Sequence, residues 1–79
     1  MDEHIQKLID RGVKVEYKVI DNAYGKYDRW EMVVLGERVA IEYRHNYRGE
    51  GDQVVLDFGG EAAEVPSVEE AVNMLIGVL

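Results

Sequence analysis

The chain has 79 residues, enough for one domain spanning residues 1–79 and too few for two, and its 47% hydrophobic and 32% charged content is globular. It contains no cysteine, which excludes disulfides, thiolate catalysis and cysteine-based zinc sites. The formal net charge is −7. No charged leader precedes an apolar stretch, and no apolar run approaches the roughly 20 residues that cross a bilayer. We therefore expect a cytoplasmic protein without membrane contact.

The predicted elements begin with a short amphipathic helix over residues 2–11, in which Ile5, Leu8 and Ile9 recur at helical spacing. Alternation of apolar and polar side chains then predicts strands, each with one buried face. There are four of them, over residues 13–19, 29–34, 38–48 and 54–58. The longest of these, residues 38–48, is the expected centre of the sheet.

Turn signals separate these strands. Residues 21–26 are expected to form a loop, Gly36-Glu37 a tight hairpin and residues 49–52 a turn. Gly59-Gly60 is expected to end the last strand, and residues 61–66 to form a polar connection.

A second helix is expected from Ser67 to the end of the chain, because Ser67 followed by Glu70 forms a capping box. Its apolar residues occupy more than one stripe, which indicates burial nearly all round or, equally, a homodimer through this helix. The element order α-β-β-β-β-α predicts an α+β fold. We expect a four-stranded antiparallel sheet with both helices on one face.

The residue content argues against an enzyme. There is no threonine, and the only serine, Ser67, is explained by helix capping, so a nucleophilic mechanism lacks its nucleophile. His4 and His45 lie on different elements and have no metal-ligand spacing. The acidic and glycine-rich turns lack the full calcium-loop and phosphate-loop patterns. We expect no catalytic residue, metal or cofactor.

The distribution of charge is the main functional signal. Residues 1–49 hold nine acidic and nine basic residues, whereas residues 50–79 hold seven acidic and no basic ones. This asymmetry predicts attraction to a basic partner and no direct binding to DNA; the alternative is that these acids serve only solubility. The predicted partner-binding residues are Glu50, Asp52, Asp57, Glu61, Glu64, Glu69 and Glu70.

A small acidic chain with a helix, an antiparallel sheet and a closing helix resembles phage-encoded inhibitor proteins of the DNA-mimic host-takeover and anti-CRISPR types. The resemblance covers size, charge and element order along the whole chain and includes no diagnostic motif. It implies a viral protein of the host cytoplasm that blocks the basic nucleic-acid-binding surface of a host protein. The basic residues before position 49 depart from a uniformly acidic mimic, so only one surface is expected to act in this way.

The alternative is a small RNA-binding or protein-interaction module that uses the uncovered face of the sheet. Aromatic platforms combined with cations hold single-stranded RNA. The alternative site residues are Tyr24, Tyr27, Arg29, Arg44 and Arg48. Period-two counting places Tyr17, Trp30, Tyr43 and Tyr47 on the core face and the cations on the opposite face, and this separation argues against RNA binding.

Overall fold

The computed structural model describes residues 2–79 and contains one five-stranded antiparallel sheet with a helix at each end of the chain. The helices are α1 (Glu3–Asp10) and α2 (Val68–Val78). The strands are β1 (Glu16–Asn22), β2 (Gly25–Val34), β3 (Glu37–Arg44), β4 (Gln53–Phe58) and β5 (Glu61–Val65). Their spatial order is their order in the chain, so β3 is central and β1 and β5 are the edges. The α+β class and the antiparallel sheet are confirmed.

The number of strands predicted from the sequence is wrong by one. Gly59 and Gly60 both have positive φ, 63° and 95°, so they turn the chain back in a two-residue hairpin instead of ending the sheet. Residues 61–65 then pair with β4 one for one. This segment contains glutamates and alanines, which are depleted in strands, and its pairing with β4 overrides that local preference.

The hairpin of β1 and β2 has longer paired strands and a shorter turn than predicted. The expected loop over 21–26 is wrong, because Asp21 pairs with Lys26 and Asn22 with Gly25, which leaves only Ala23 and Tyr24 in the turn. Consequently β2 begins four residues before the predicted start at Arg29.

The central strand is shorter than predicted. It ends at Arg44, Asn46 adopts a left-handed conformation with φ of 45°, and residues Tyr47–Gly49 form a 3-10 turn. The expected continuation to Arg48 is therefore wrong. Tyr47 and Arg48 lie outside the sheet, so their side chains do not follow the alternation between its two faces.

Both helices cover the same face of the sheet, as predicted. Ile5 and Leu8 of α1 and Leu75 of α2 join Trp30, Ile41 and other sheet residues in a single core. The N-terminus of α2 is capped by Ser67, whose Oγ accepts a hydrogen bond from the Glu70 N–H at 3.1 Å.

The core of the single chain does not bury α2 nearly all round, so this one of the two expectations is wrong, and the homodimer stays a prediction. The buried residues of α2, Val68, Ala71, Val72 and Leu75, form one stripe, because an element lying on a sheet covers the sheet with one side only. Met74, Val78 and Leu79 are about half exposed. Within residues 2–79 no helix has the length and apolar character needed to cross a membrane.

Candidate functional site: an acidic depression and its surroundings

The sheet face opposite the helices carries a network of ion pairs centred on Glu42, which is only 5% exposed. Glu42 binds the guanidinium of Arg29 and that of Arg44, the latter with an Nη2–Oε1 distance of 2.7 Å. Glu31 accepts from Lys18 Nζ at 2.7 Å and from Arg29 Nε at 2.8 Å. These bonds, that with Lys18 above all, hold the pKa of Glu31 below its usual range.

This network consists of charge pairs between neighbouring strands on the open face. The register places Lys18 beside Arg29 and Arg29 beside Glu42 across three strands. Since Lys18, Arg29 and Arg44 each form an ion pair with Glu31 or Glu42, none of these three cations is free to bind a phosphate. The main role of these side chains is therefore to stabilise the sheet through ion pairs.

At one end of the same sheet, aromatic rings and guanidinium groups alternate in a stack. The Arg44 guanidinium lies 5.5 Å from the ring centre of Tyr27 and 4.7 Å from that of Tyr47. Arg48 lies 5.4 Å from the Tyr47 ring and 4.8 Å from the Tyr24 ring. We call these five residues the aromatic–arginine stack. The predicted separation of aromatic and cationic side chains is wrong here, because the chain leaves the sheet after Arg44.

Arg48 is the distinctive member of this stack. Its φ of 57° is in the left-handed region, which a non-glycine residue adopts at a cost of roughly 1–2 kcal/mol. It forms no ion pair with another of residues 2–79, whereas Arg29 of the same predicted set is paired. The stack links the β1–β2 turn to the 3-10 turn through cation–π contacts.

The seven acids of the C-terminal part do not share one face. The register puts Asp57 and Glu64 on the open face and Glu61 on the helix side, beside Phe58. Glu69 and Glu70 lie in the first turn of α2, and Glu50 follows the 3-10 turn.

Three of the predicted acids do come together around a depression of about 460 Å³ at the end of the sheet where β5 leads into α2. Its lining includes Asp52, Glu64 and Glu69 together with Asp2 and His4. We call this site, lined by four acidic residues, the acidic depression. Among residues 2–79 no lysine or arginine lines it, and His4 is the one basic side chain of the lining.

Two of its acids are held by local hydrogen bonds. Asp52 accepts from the Asn46 N–H at 2.9 Å and from the Tyr43 hydroxyl at 2.9 Å, and these bonds, the first foremost, keep its pKa below the usual range. Asp2 caps α1 by accepting from the His4 N–H at 2.7 Å. Asp52 is therefore ionised at neutral pH, and hydrogen bonds fix the positions of both carboxylates, which makes the depression a preformed acidic surface.

His4 lies close to two glutamates. Its Nε2 lies 3.5 Å from Glu69 and 3.8 Å from Glu3, while its buried Nδ1 has no hydrogen-bond partner among residues 2–79. Glu64 makes no ion pair within the same residues. Acidic side chains therefore outnumber the histidine in the lining of the depression.

Sequence reasoning missed Asp2 and the contacts of Asp52. The signal for Asp2 was its position at the start of the first predicted helix, where an aspartate can cap the first turn. The signal for Asp52 was its place in a turn six residues after Asn46. Neither pattern reveals that the start of α1, the 3-10 turn and β5 meet at one end of the sheet.

Comparison with known proteins adds no identification. No protein-family profile matches the chain. No curated protein and no solved structure is significantly similar to it.

Proposed function

We propose that this protein is a non-enzymatic binding protein whose acidic C-terminal part occupies the basic nucleic-acid-binding surface of another protein. The observation that supports it is the acidic depression, where Asp2, Asp52, Glu64 and Glu69 meet without a lysine or arginine. A groove that evolved to bind phosphates has a positive electrostatic potential, and this potential also attracts a surface of carboxylates. An inhibitory role as a mimic of DNA belongs to this proposal.

The separation of charges supports the same conclusion. Lys18, Arg29 and Arg44 of the open face are paired with Glu31 and Glu42 within the fold, whereas most of the C-terminal acids make no ion pair with another of residues 2–79, which leaves an uncompensated negative charge. It lies along β5 and the first turn of α2, where Glu61, Glu64 and Glu70 are exposed. A basic partner would thus meet one edge of the molecule rather than its sheet face.

The test is capture of partners from a bacterial lysate by the immobilised protein, at low and high salt and with added DNA. The wild-type protein is compared with the double variant E61K/E64K. The matched control is E16K/D21K, which reverses two exposed acids on the opposite edge strand, β1. Both variants have the same net charge, −7 + 4 = −3.

We expect a DNA-binding or RNA-binding protein that is captured by the wild type and the control, is released by salt or DNA, and is lost with E61K/E64K. Equal capture by all three proteins would refute the role of this edge. Equal loss with both double variants would show that net charge alone determines the binding.

A second candidate function is supported by the aromatic–arginine stack. Tyr24 is 57% exposed beside the guanidinium of Arg48, which forms no ion pair with another of residues 2–79. Single strands are held when a base stacks on such a ring and a nearby cation contacts its phosphate. Titration with a fluorescent single-stranded RNA tests it. Binding that is weakened by Y24A and R48A would favour this function over the first, and absence of binding to the wild type excludes it.

A further inference from the structure

The outer edge of β5 has unpaired backbone groups. Beyond the pairing with β4, residues 61–65 make no backbone hydrogen bond with another of residues 2–79. Residues 61–64 are all exposed, and the sheet ends at this strand. An edge of this kind is a template on which another extended chain can pair.

The hairpin turn determines which groups face outward. In a two-residue turn the flanking residues, here Phe58 and Glu61, are hydrogen-bonded to each other. Because hydrogen-bonded and non-bonded pairs alternate in an antiparallel ladder, Ala63 also faces β4. The N–H and C=O groups of Ala62 and Glu64 therefore point away from the sheet.

Three of the usual protections of an edge are missing in β5, although the strand is short and carries two charged glutamates. It contains no lysine or proline, and its one-for-one register with β4 includes no bulge. The outward-facing backbone groups belong to Ala62 and Glu64, and the small methyl groups of Ala62 and Ala63 leave space for a neighbouring strand. The other edge strand, β1, contains Lys18.

The two glutamates of β5 specify what this edge would accept. Glu61 lies on the helix side of the sheet and Glu64 on the open side, because they are three residues apart. A cation opposite each of them must therefore come from side chains three residues apart on the incoming strand, in either direction. Two cations that are two residues apart would both lie on one face.

The geometry points to strand addition: an extended segment with lysine or arginine at positions i and i+3 pairs with β5 as a sixth strand. This inference rests on the proposed function, since it specifies how a basic partner binds the acidic edge. The backbone supplies the pairing and the two carboxylates select the spacing of the cations.

The probe is the acetylated and amidated peptide Thr-Lys-Thr-Val-Lys-Thr. The control peptide, Thr-Lys-Thr-Lys-Val-Thr, has the same composition with its lysines two residues apart. We expect the first peptide to bind about two- to fivefold more tightly, since the control loses one exposed ion pair. Equal affinities of the two peptides would contradict the selection by Glu61 and Glu64.

Amide hydrogen exchange of the wild-type protein, measured by NMR, tests the pairing directly. At a peptide concentration ten times the Kd, exchange of the Ala62 and Glu64 amides should slow about tenfold, because only the free protein exchanges. The Ala63 amide, already bonded to β4, should change little. Unchanged exchange at Ala62 and Glu64 in the saturated complex would overturn the inference.

A variant separates backbone pairing from charge. A62P removes one outward N–H at an edge position where proline is tolerated, and it should weaken peptide binding about fivefold, the loss of one hydrogen bond. A62S keeps the N–H and should bind within about twofold of the wild type. If A62P does not fold by circular dichroism, the amide exchange of the wild type decides.

The two proposals fail in different ways. If the partner captured from lysate is lost with E61K/E64K and retained at full affinity by A62P, the acidic surface binds without strand addition. If the peptide slows the Ala62 and Glu64 amides while no nucleic-acid-binding protein is captured, strand addition stands and the identity of the proposed partner is wrong.

Discussion

Replacing Glu42 with glutamine should remove a large part of the stability of the fold. Glu42 is 5% exposed and receives three hydrogen bonds: from Arg29 Nη1, from Arg44 Nη2 at 2.7 Å, and from Arg44 Nε at 3.2 Å. Glutamine keeps the shape, but its neutral amide has one oxygen to accept with and turns its NH₂ donor toward a guanidinium. Hydrogen bonds to charged groups contribute about 1.5–3 kcal/mol each.

The arginines limit the loss. Their side chains are 27% and 24% exposed, and Arg29 retains Glu31 while Arg44 retains Gln53 and two aromatic rings. We therefore expect a net destabilisation of about 2 kcal/mol, less than the sum of the bonds. In a domain of this size that corresponds to a fall in Tm of about 8–16 °C.

The assay is urea unfolding followed by the fluorescence of Trp30, which is 6% exposed and becomes solvated on unfolding. The control is E16Q, a substitution on the same face at an exposed glutamate that makes no ion pair within residues 2–79; it should change stability by less than about 0.5 kcal/mol. A loss below about 0.5 kcal/mol for E42Q, or equal losses for both variants, would refute the central role of the network.

Three further predictions concern the hydrophobic core, the turn between β4 and β5, and stability at acid pH. Leu75 is 1% exposed, so L75A should destabilise by about 2–5 kcal/mol in urea unfolding, whereas M74A, at a half-exposed position, should have little effect. G59A should cost about 1–2 kcal/mol by the same assay, because its φ of 63° is left-handed and its methyl group would approach a glutamate oxygen at 2.9 Å; an unchanged stability would contradict the strain. The hydrogen bond from the Tyr17 hydroxyl lowers the pKa of Asp28, and the bond with His45 lowers it to a smaller extent. This stabilisation is present above about pH 4 and is lost as the pH falls through the folded-state pKa, so wild type and Y17F should differ in stability at pH 6 and converge at acid pH.

The charge distribution of the chain has two different physical roles. Before Arg48, cations and anions alternate on paired strands and neutralise each other, with Glu42 and Arg29 at the centre. After Arg48 no cation follows, so carboxylates can be neutralised only by residues from earlier in the chain. His4 near Glu69 is the contact of this kind at the acidic depression. Binding of a basic partner would supply the missing countercharge.

The surroundings of β5 make the two proposals compatible. The acidic depression lies where β5 ends and α2 begins, and Glu64 belongs both to the strand and to the lining of the depression. A basic segment paired along β5 would therefore extend toward the depression. A cation beyond the paired residues could then meet Glu69 or Asp52.

The elements that the sequence alone determined are those with strong local signals. Alternation along Trp30, Met32 and Val34 identifies β2, and the same period identifies the face of β3 that carries Ile41. The cap at Ser67 marks the start of α2 to the residue. Charge asymmetry was also visible without a structure, because it is a property of composition along the chain.

The remaining features depend on partners distant in sequence. The segment 61–65 has no alternation of its own and becomes a strand because β4 presents a free edge after the Gly59-Gly60 turn. Tyr47 and Arg48 leave the predicted faces because the left-handed Asn46 ends β3. Local propensity does not encode either event.

The acidic depression shows the same limit at the functional site. Asp2, Asp52, Glu64 and Glu69 come from four separate segments, and only the packing of α1 beside α2 at one end of the sheet brings them together. The sequence determined that the C-terminal part is acidic, through its lack of lysine and arginine. Tertiary structure decided which of those acids meet, because side-chain proximity depends on the order and register of the strands rather than on spacing along the chain.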